Sequence, residues 1–161
     1  MEKNERVALT GGCQCGAVRF RARLVGRGSI CHCRMCQKAF GGFFGPLVTA
    51  HDGEWTRGEP RWFQSSNLAR RAFCGACGTP LAYETRFGLE LAIGAFDTPE
   101  AVAPQIQVNP RDKLSFFDTL TSLPVRENQD SEWTDFLSGI HSNQHPDHDT
   151  AEWPPRDESR S

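Results

Sequence analysis

Seven cysteines lie between positions 13 and 77, and their spacing is the feature of this chain most able to support chemistry. They form three groups: Cys13 and Cys15 in C-x-C, Cys31, Cys33 and Cys36 in C-x-C-x-x-C, and Cys74 and Cys77 in C-x-x-C. Thiolates this close in sequence can bind one soft metal ion from a single turn, and such ligand sets favour zinc. The spacing therefore predicts a zinc protein.

Seven ligands divide most simply into four and three. The contiguous Cys31, Cys33 and Cys36 can occupy three corners of one tetrahedron, which leaves the two flanking pairs to form a closed four-cysteine site. A structural zinc bound in this way contributes about 10 kcal/mol to folding. A second closed site is the alternative, with a nitrogen of His51 as the fourth ligand. His32 lies between two ligands, so its side chain should point away from their ion.

An open site of three thiolates and Zn²⁺ carries a net charge of −1. This charge makes exchange of a soft thiol ligand more natural than activation of water. Arg34 and Lys38 flank the triad and are candidates for binding a carboxylate of the ligand, although simple solvation of either side chain fits the sequence equally well. The open site is also prone to oxidation and loss of metal, so we expect partial occupancy after purification.

The elements that must position these cysteines are mostly short strands. Residues 17–25 alternate, which predicts a half-buried strand with Arg19, Arg21 and Arg23 on a solvated face. Further strands are expected at 43–50, 59–64, 70–74, 79–84 and 89–96, separated by glycine and proline. One helix should begin near Arg34 and end before Gly41. A second is expected at 130–138, capped by Ser131.

Length and charge restrict the remaining possibilities. The chain has 161 residues, enough for one domain, and its apolar runs are too short for a membrane span or signal peptide. We therefore expect a cytoplasmic protein. Residues 1–126 carry 16 basic and 11 acidic side chains, and residues 127–161 carry two and nine. We predict a zinc-binding domain over 1–126 and an acidic extension over 127–161. The modest basic charge argues against a nucleic-acid partner.

The extension should be disordered beyond its helix, because it turns polar from Gly139 and offers little apolar surface to bury. His141, His145 and His148 form a weaker candidate group for metal binding in this segment.

Three segments in register carry a resemblance to a known family. GGCQCGAVRF (11–20), CHCRMCQKAFGG (31–42) and FCGACGTPL (73–81) resemble the glutathione-dependent formaldehyde-activating enzymes, a family also named for centromere protein V. The likeness runs from about Leu9 to Pro124. It implies an Mss4-like, mainly β fold of small antiparallel sheets stapled by zinc, with few short helices. It also implies a structural zinc on Cys13, Cys15, Cys74 and Cys77 and a second zinc on Cys31, Cys33 and Cys36.

The family's namesake reaction implies a carbon–sulfur lyase resembling S-hydroxymethylglutathione synthase, with glutathione and an aldehyde as partners. In that scheme the thiolate of glutathione occupies the open zinc position and attacks the aldehyde carbon. Two other functions stay open: a non-catalytic zinc module that binds a protein or nucleic acid, and a thiol or metal sensor whose triad gains and loses zinc.

Overall fold

Two β-sheets and two short α-helices form the framework of the described chain. The computed structural model describes residues 8–126 and 130–154. The strands are β1 Leu9–Gly12, β2 Arg19–Ala22, β3 Val25–Cys31, β4 Gly45–Ala50, β5 Glu54–Arg57, β6 Arg61–Ser66, β7 Ala69–Phe73, β8 Pro80–Thr85, β9 Gly88–Ala92 and β10 Pro104–Val108. The helices are α1 Arg34–Phe40 and α2 Ser131–Ser138, and short 3-10 turns follow β9 and β10. The prediction of a mainly β fold with few short helices is confirmed.

The strands form one small and one large sheet. The small sheet has the order β1-β2-β5, and the large one has the order β10-β3-β4-β9-β8-β7-β6. All pairings are antiparallel except that of β10 with β3. The second cysteine group spans the junction of β3 and α1, because Cys31 ends β3, Cys33 precedes α1 and Cys36 lies within it.

The core fills the space between the two sheets. Phe20 of the small sheet is 1% exposed, and Val48, Leu81 and Leu91 of the large sheet are fully buried. The ring of Phe20 meets that of Phe96 edge-to-face, with centroids 5.0 Å apart. Burial of aromatic and aliphatic side chains of this size supplies the main favourable free energy of folding.

The segment 17–25 does not form the single strand that its alternation predicts. β2 ends at Ala22, and a bend at Arg23 and Leu24 separates it from β3. The carboxylate of Asp52 accepts both backbone N–H groups of the bend, at 2.8 and 2.7 Å. Leu24 is consequently 43% exposed rather than buried. The sequence patterns predict no separate strand at the positions of β1, β3 and β5.

Arg19 is the clearest exception to the predicted solvated arginine face. It is 2% exposed and donates two hydrogen bonds to Asp97, at 2.8 and 2.5 Å. Thr10 donates a third hydrogen bond to Asp97. Burial raises the pKa of Asp97, but the hydrogen bonds from Arg19 and Thr10 outweigh it, so the net pKa is lowered. The pair ties β1 and β2 to the segment after β9.

Residues 145–153 pack against the domain, whereas the sequence predicts disorder there. His145 is 5% exposed, and its backbone N–H donates to the carbonyl of Gln14 at 2.7 Å. Asp149 accepts from Arg19, and Trp153 Nε1 donates to the carbonyl of Cys15 at 2.6 Å. The segment is held by polar contacts to the buried Arg19, the partly buried Arg57 and turn carbonyls, which its low hydrophobicity does not reveal. The boundary at 126/127 itself stays a prediction.

The second helix lies where the sequence places it, but with another cap. Asp130, rather than Ser131, accepts the backbone N–H of Trp133, at 2.8 Å. An aspartate at this position also suits the positive end of the helix dipole. Within residues 8–126 and 130–154, no helix is both long enough and apolar enough to cross a lipid bilayer.

The buried pair of Arg19 and Asp97 leads to a prediction about stability. Asp97→Asn should lower the free energy of unfolding by about 2 kcal/mol, less than for a fully orphaned buried charge because Asp149 still faces Arg19. Urea unfolding of the zinc-loaded protein under reducing conditions measures this difference. Glu54→Gln, which removes the exposed partner of Arg21, is the matched control and should cost less than about 1 kcal/mol. Equal losses in the two variants would contradict the prediction.

Candidate metal centres

The two flanking cysteine pairs come together in space. One sulfur each from Cys13, Cys15, Cys74 and Cys77 lies within 4.8 Å of the other three. Cys13 and Cys15 have their sulfurs 3.6 Å apart, and Cys15 and Cys74 have theirs 3.9 Å apart. Four sulfurs at about 2.3 Å from a tetrahedral zinc would be about 3.8 Å from one another. The spacing and the donor set therefore fit a four-thiolate zinc.

Each flanking pair lies on a tight turn of similar construction. Gly16 and Gly78 have φ angles of 77° and 78°, which favour glycine, and each donates its N–H to the carbonyl of the first cysteine of its pair, Cys13 or Cys74. Backbone N–H groups also donate to sulfur: Val18 to Cys13 at 3.3 Å and Cys77 to Cys74 at 3.5 Å. Such donors stabilise negative charge on the thiolates before and after a metal binds.

Burial and hydrogen bonding give the thiols of this set different pKa values. Burial raises the pKa of Cys13 to about 12, so this thiol is neutral when no metal is bound. Burial also acts to raise the pKa of Cys77, but hydrogen bonds from Thr79 and the neighbouring sulfur outweigh it and lower that pKa to about 6. Binding of a metal ion must therefore displace protons from the buried members of the set.

The central group forms a second cluster of three sulfurs. Those of Cys31, Cys33 and Cys36 lie within 4.8 Å of one another. No fourth cysteine, histidine, aspartate or glutamate joins this group within residues 8–126 and 130–154. Cys33 caps α1, and its sulfur accepts the backbone N–H of Cys36 at 3.4 Å. Three thiolates again suit a soft ion such as zinc, and here they leave one corner of the tetrahedron to another ligand.

The neighbouring histidines do not complete this cluster. His32 is fully buried and points away, as predicted: its Nε2 lies 2.9 Å from Gln107 Oε1, and its ring packs edge-on against Phe117. His51 is exposed and lies outside the cluster, so the alternative in which it supplies a fourth ligand is wrong. His145, from the third candidate group, is buried beside Arg57 instead of joining a cluster with His141 and His148.

Two side chains that sequence reasoning missed donate directly to the second cluster. Arg71 Nη2 lies 3.3 Å from Cys36 Sγ, and Asn109 Nδ2 lies 3.3 Å from Cys31 Sγ. Arg71 is 8% exposed, and its guanidinium stacks on the Tyr83 ring at 4.7 Å. A cation at this place offsets the net charge of −1 expected for three thiolates and Zn²⁺. No sequence signal separates Arg71 from the other arginines, because 34 residues lie between it and Cys36.

The predicted substrate-binding residues lie at the surface. Arg34 and Lys38 are both exposed on α1, and Arg34 Nη1 donates to Gln37 Oε1 at 3.0 Å. Their charges therefore reach solvent beside the cluster, while the arginine that contacts sulfur belongs to β7.

Electrostatics distinguishes the sulfurs of the second cluster. Burial raises the pKa of Cys36 to about 12, although Arg71 opposes the shift. Burial also acts to raise the pKa of Cys33, but the N–H of Cys36, the neighbouring thiols and the charge of Arg71 outweigh it, so the net pKa is lowered. Cys33 therefore forms a thiolate more readily than Cys36.

Comparisons with known proteins give the family and the fold of the chain. The profile of the family described as glutathione-dependent formaldehyde-activating enzyme matches residues 8–111, well over half of the chain. The chain belongs to this family. Its structure is similar to a crystal structure of a Rhodobacter sphaeroides protein determined by structural genomics, with a TM-score of 0.50 and 20% identity. That similarity covers 62% of this chain and 99% of the other, and it shows a shared fold. No curated protein matches the chain.

We expect the two clusters to differ in their importance for folding. Cys74→Ser should remove the closed four-sulfur set that joins two distant turns, and the chain should lose its cooperative thermal transition. Cys33→Ser should leave that set intact, retain the native circular dichroism spectrum and lose one of two bound zinc ions. Native mass spectrometry and circular dichroism on both variants measure these outcomes. Equal loss of fold in both would contradict the division of roles.

Arg71 should affect retention of metal at the second cluster. Arg71→Met removes the N–H donor to Cys36 and the balancing charge, so zinc affinity at this cluster should fall by roughly 10- to 100-fold. Competition with a coloured chelator measures this affinity. Arg70→Met is the matched control, because Arg70 pairs with Glu84 and stacks on Trp62 instead of contacting a cysteine. A similar effect from both substitutions would show that lost sheet stability, and not the contact with sulfur, is responsible.

Proposed function

We propose that this protein is a zinc-dependent carbon–sulfur lyase acting on an adduct of glutathione and an aldehyde, of the S-hydroxymethylglutathione type. The observation that supports this most is the second cluster: three sulfurs converge, and no fourth protein ligand completes the set within the described residues. Membership of a family described as glutathione-dependent formaldehyde-activating enzyme supports glutathione as the thiol and formaldehyde as the aldehyde. The four-sulfur cluster would then be structural.

A zinc ion held by three thiolates would offer its fourth position to the ligand thiol and lower that thiol's pKa. The chain's own residues prepare this position. Asn109 and Arg71 donate N–H groups to the sulfurs of Cys31 and Cys36. These contacts would fix the direction of the fourth coordination position of a bound zinc. Arg71 also reduces the repulsion that an incoming thiolate would otherwise meet.

The reaction itself balances without a redox partner. In the condensing direction a bond forms between the ligand sulfur and the aldehyde carbon, the carbonyl π bond breaks, and the proton lost by the thiol ends on the new hydroxyl oxygen. In the lyase direction the same bonds change in reverse. The protein therefore has to bind, orient and manage one proton. Arg34 and Lys38 are our candidates for binding a carboxylate of glutathione, because both are exposed cations on the helix that follows Cys33.

The test combines binding with turnover. Zinc-loaded protein should form a glutathione adduct visible in native mass spectra. It should also accelerate exchange between formaldehyde and S-hydroxymethylglutathione, as measured by ¹³C exchange NMR. Cys33→Ser should abolish the adduct and reduce exchange to the uncatalysed rate. Met35→Ala, a substitution of an exposed neighbour on α1, is the control and should behave as wild type.

Two zinc ions without an adduct and without accelerated exchange would contradict the proposal. That outcome would favour the non-catalytic binding module. A cluster that loses zinc reversibly under mild oxidant, with no exchange activity, would favour the sensor.

A further inference from the structure

A row of polar side chains crosses the large sheet beside the second cluster. Arg71 of β7 pairs in register with Tyr83 of β8, Tyr83 with Glu90 of β9, and Glu90 with Thr49 of β4. Residues directly opposite one another across paired strands project on the same face of the sheet. Because Arg71 reaches Cys36 on this face, the row leads from the cluster into the middle of the sheet.

A cavity of about 590 Å³ lies over the far part of this row. Its floor is formed by Thr49, Tyr83 and Glu90, and its outer end by the turn residues Leu68 and Phe87. Cavities of this size typically bind small organic ligands. A larger cavity of about 700 Å³ surrounds Trp55 and Trp62, but the charged side chains Arg70 and Glu84 in its wall pair with each other.

Glu90 is the unexplained group in the smaller cavity. Its carboxylate is half-buried, and burial raises its pKa while the charge of Arg71 opposes the rise. Within residues 8–126 and 130–154, no side chain forms a hydrogen bond or ion pair with it. Arg71 donates from Nη2 to Cys36 and from Nε to Ser65, and its buried Nη1 has no hydrogen-bond partner among the described residues. The other charged residue of the wall, Arg86, stacks on Phe87 at 4.6 Å.

A partly desolvated carboxylate without a partner is costly, and a cation that binds there recovers that cost. We propose that this cavity is the subsite for a primary ammonium group of the thiol ligand, with Glu90 accepting its hydrogen bonds. This inference rests on the proposed function, because it assumes that the sulfur of the same ligand binds at the second cluster.

The distance across the sheet selects among aminothiols. Arg71 and Glu90 are separated by two interstrand spacings, or about 10 Å between backbones. A thiol whose amine is many bonds from its sulfur, as in a γ-glutamyl compound, can span from the cluster to the cavity. Free cysteine, whose amine lies close to its sulfur, cannot engage both. The subsite thus favours an extended thiol carrying an amino group at its far end.

The experiment compares two probes that differ only in the ammonium group. Reduced glutathione and its desamino analogue, in which hydrogen replaces the amine, are titrated into zinc-loaded protein by calorimetry. Wild type should bind glutathione about 10-fold or more tightly than the analogue, as expected for a charge-assisted hydrogen bond. Glu90→Gln should bring the ratio of the two affinities close to one. Glu84→Gln, on the same strand pair but the opposite face, should keep the wild-type ratio.

The outcomes separate this inference from the proposed function. If wild type binds neither thiol, both fail. If wild type binds both equally, or if Glu90→Gln keeps the preference, the ammonium subsite fails while the proposed function stands. Removing an unpaired carboxylate should also leave the melting temperature of Glu90→Gln unchanged or higher. A lower melting temperature would reveal a structural partner for Glu90 and would overturn the subsite.

Discussion

The convergence of sulfur atoms from distant turns is the constraint on which this fold depends. Cys13 and Cys15 precede β2, whereas Cys74 and Cys77 follow β7, yet their sulfurs lie within 4.8 Å of one another. Without a metal, such an arrangement gathers polarizable, partly buried thiols that gain little from mutual contact. With zinc it becomes worth on the order of 10 kcal/mol, comparable to the whole stability of a small domain. Zinc bound there would join the turn before β2 to the turn after β7, in addition to the core that the two sheets share.

The second cluster is built differently from the first. Its three sulfurs come from one short stretch at the junction of β3 and α1, so binding a metal there closes no long loop. The surrounding sheet contributes donors instead: Arg71 from β7 and Asn109 after β10 each reach one sulfur. These contacts orient the sulfurs and offset the negative charge of their thiolates, and they support the proposal that this site exchanges a ligand.

The C-terminal segment adds a third, polar form of stabilisation. The backbone of His145 and the indole of Trp153 donate hydrogen bonds to two carbonyls of the turn that carries Cys13 and Cys15. The carboxylate of Asp149 accepts a hydrogen bond from the buried guanidinium of Arg19. Asp97 supplies the other half of the environment of Arg19. A buried arginine with two carboxylate partners sets where the segment lies on the domain, because leaving one buried charge unpaired is strongly unfavourable.

The sequence by itself determined the grouping of the cysteines into four and three, the mainly β class and both helices. Cysteine spacing and turn glycines are local properties, and α1 lies between its predicted limits. It could not reveal that Arg71 and Asn109 contact the second cluster, because strand pairing brings them there from distant parts of the chain. It likewise misjudged Arg19 and the segment after α2, since alternation and hydrophobicity report average exposure and not the carboxylate that a folded chain brings to a buried charge. Tertiary structure decided those points, because electrostatic partnership depends on distance in space, whereas metal-binding turns are encoded by distance in sequence.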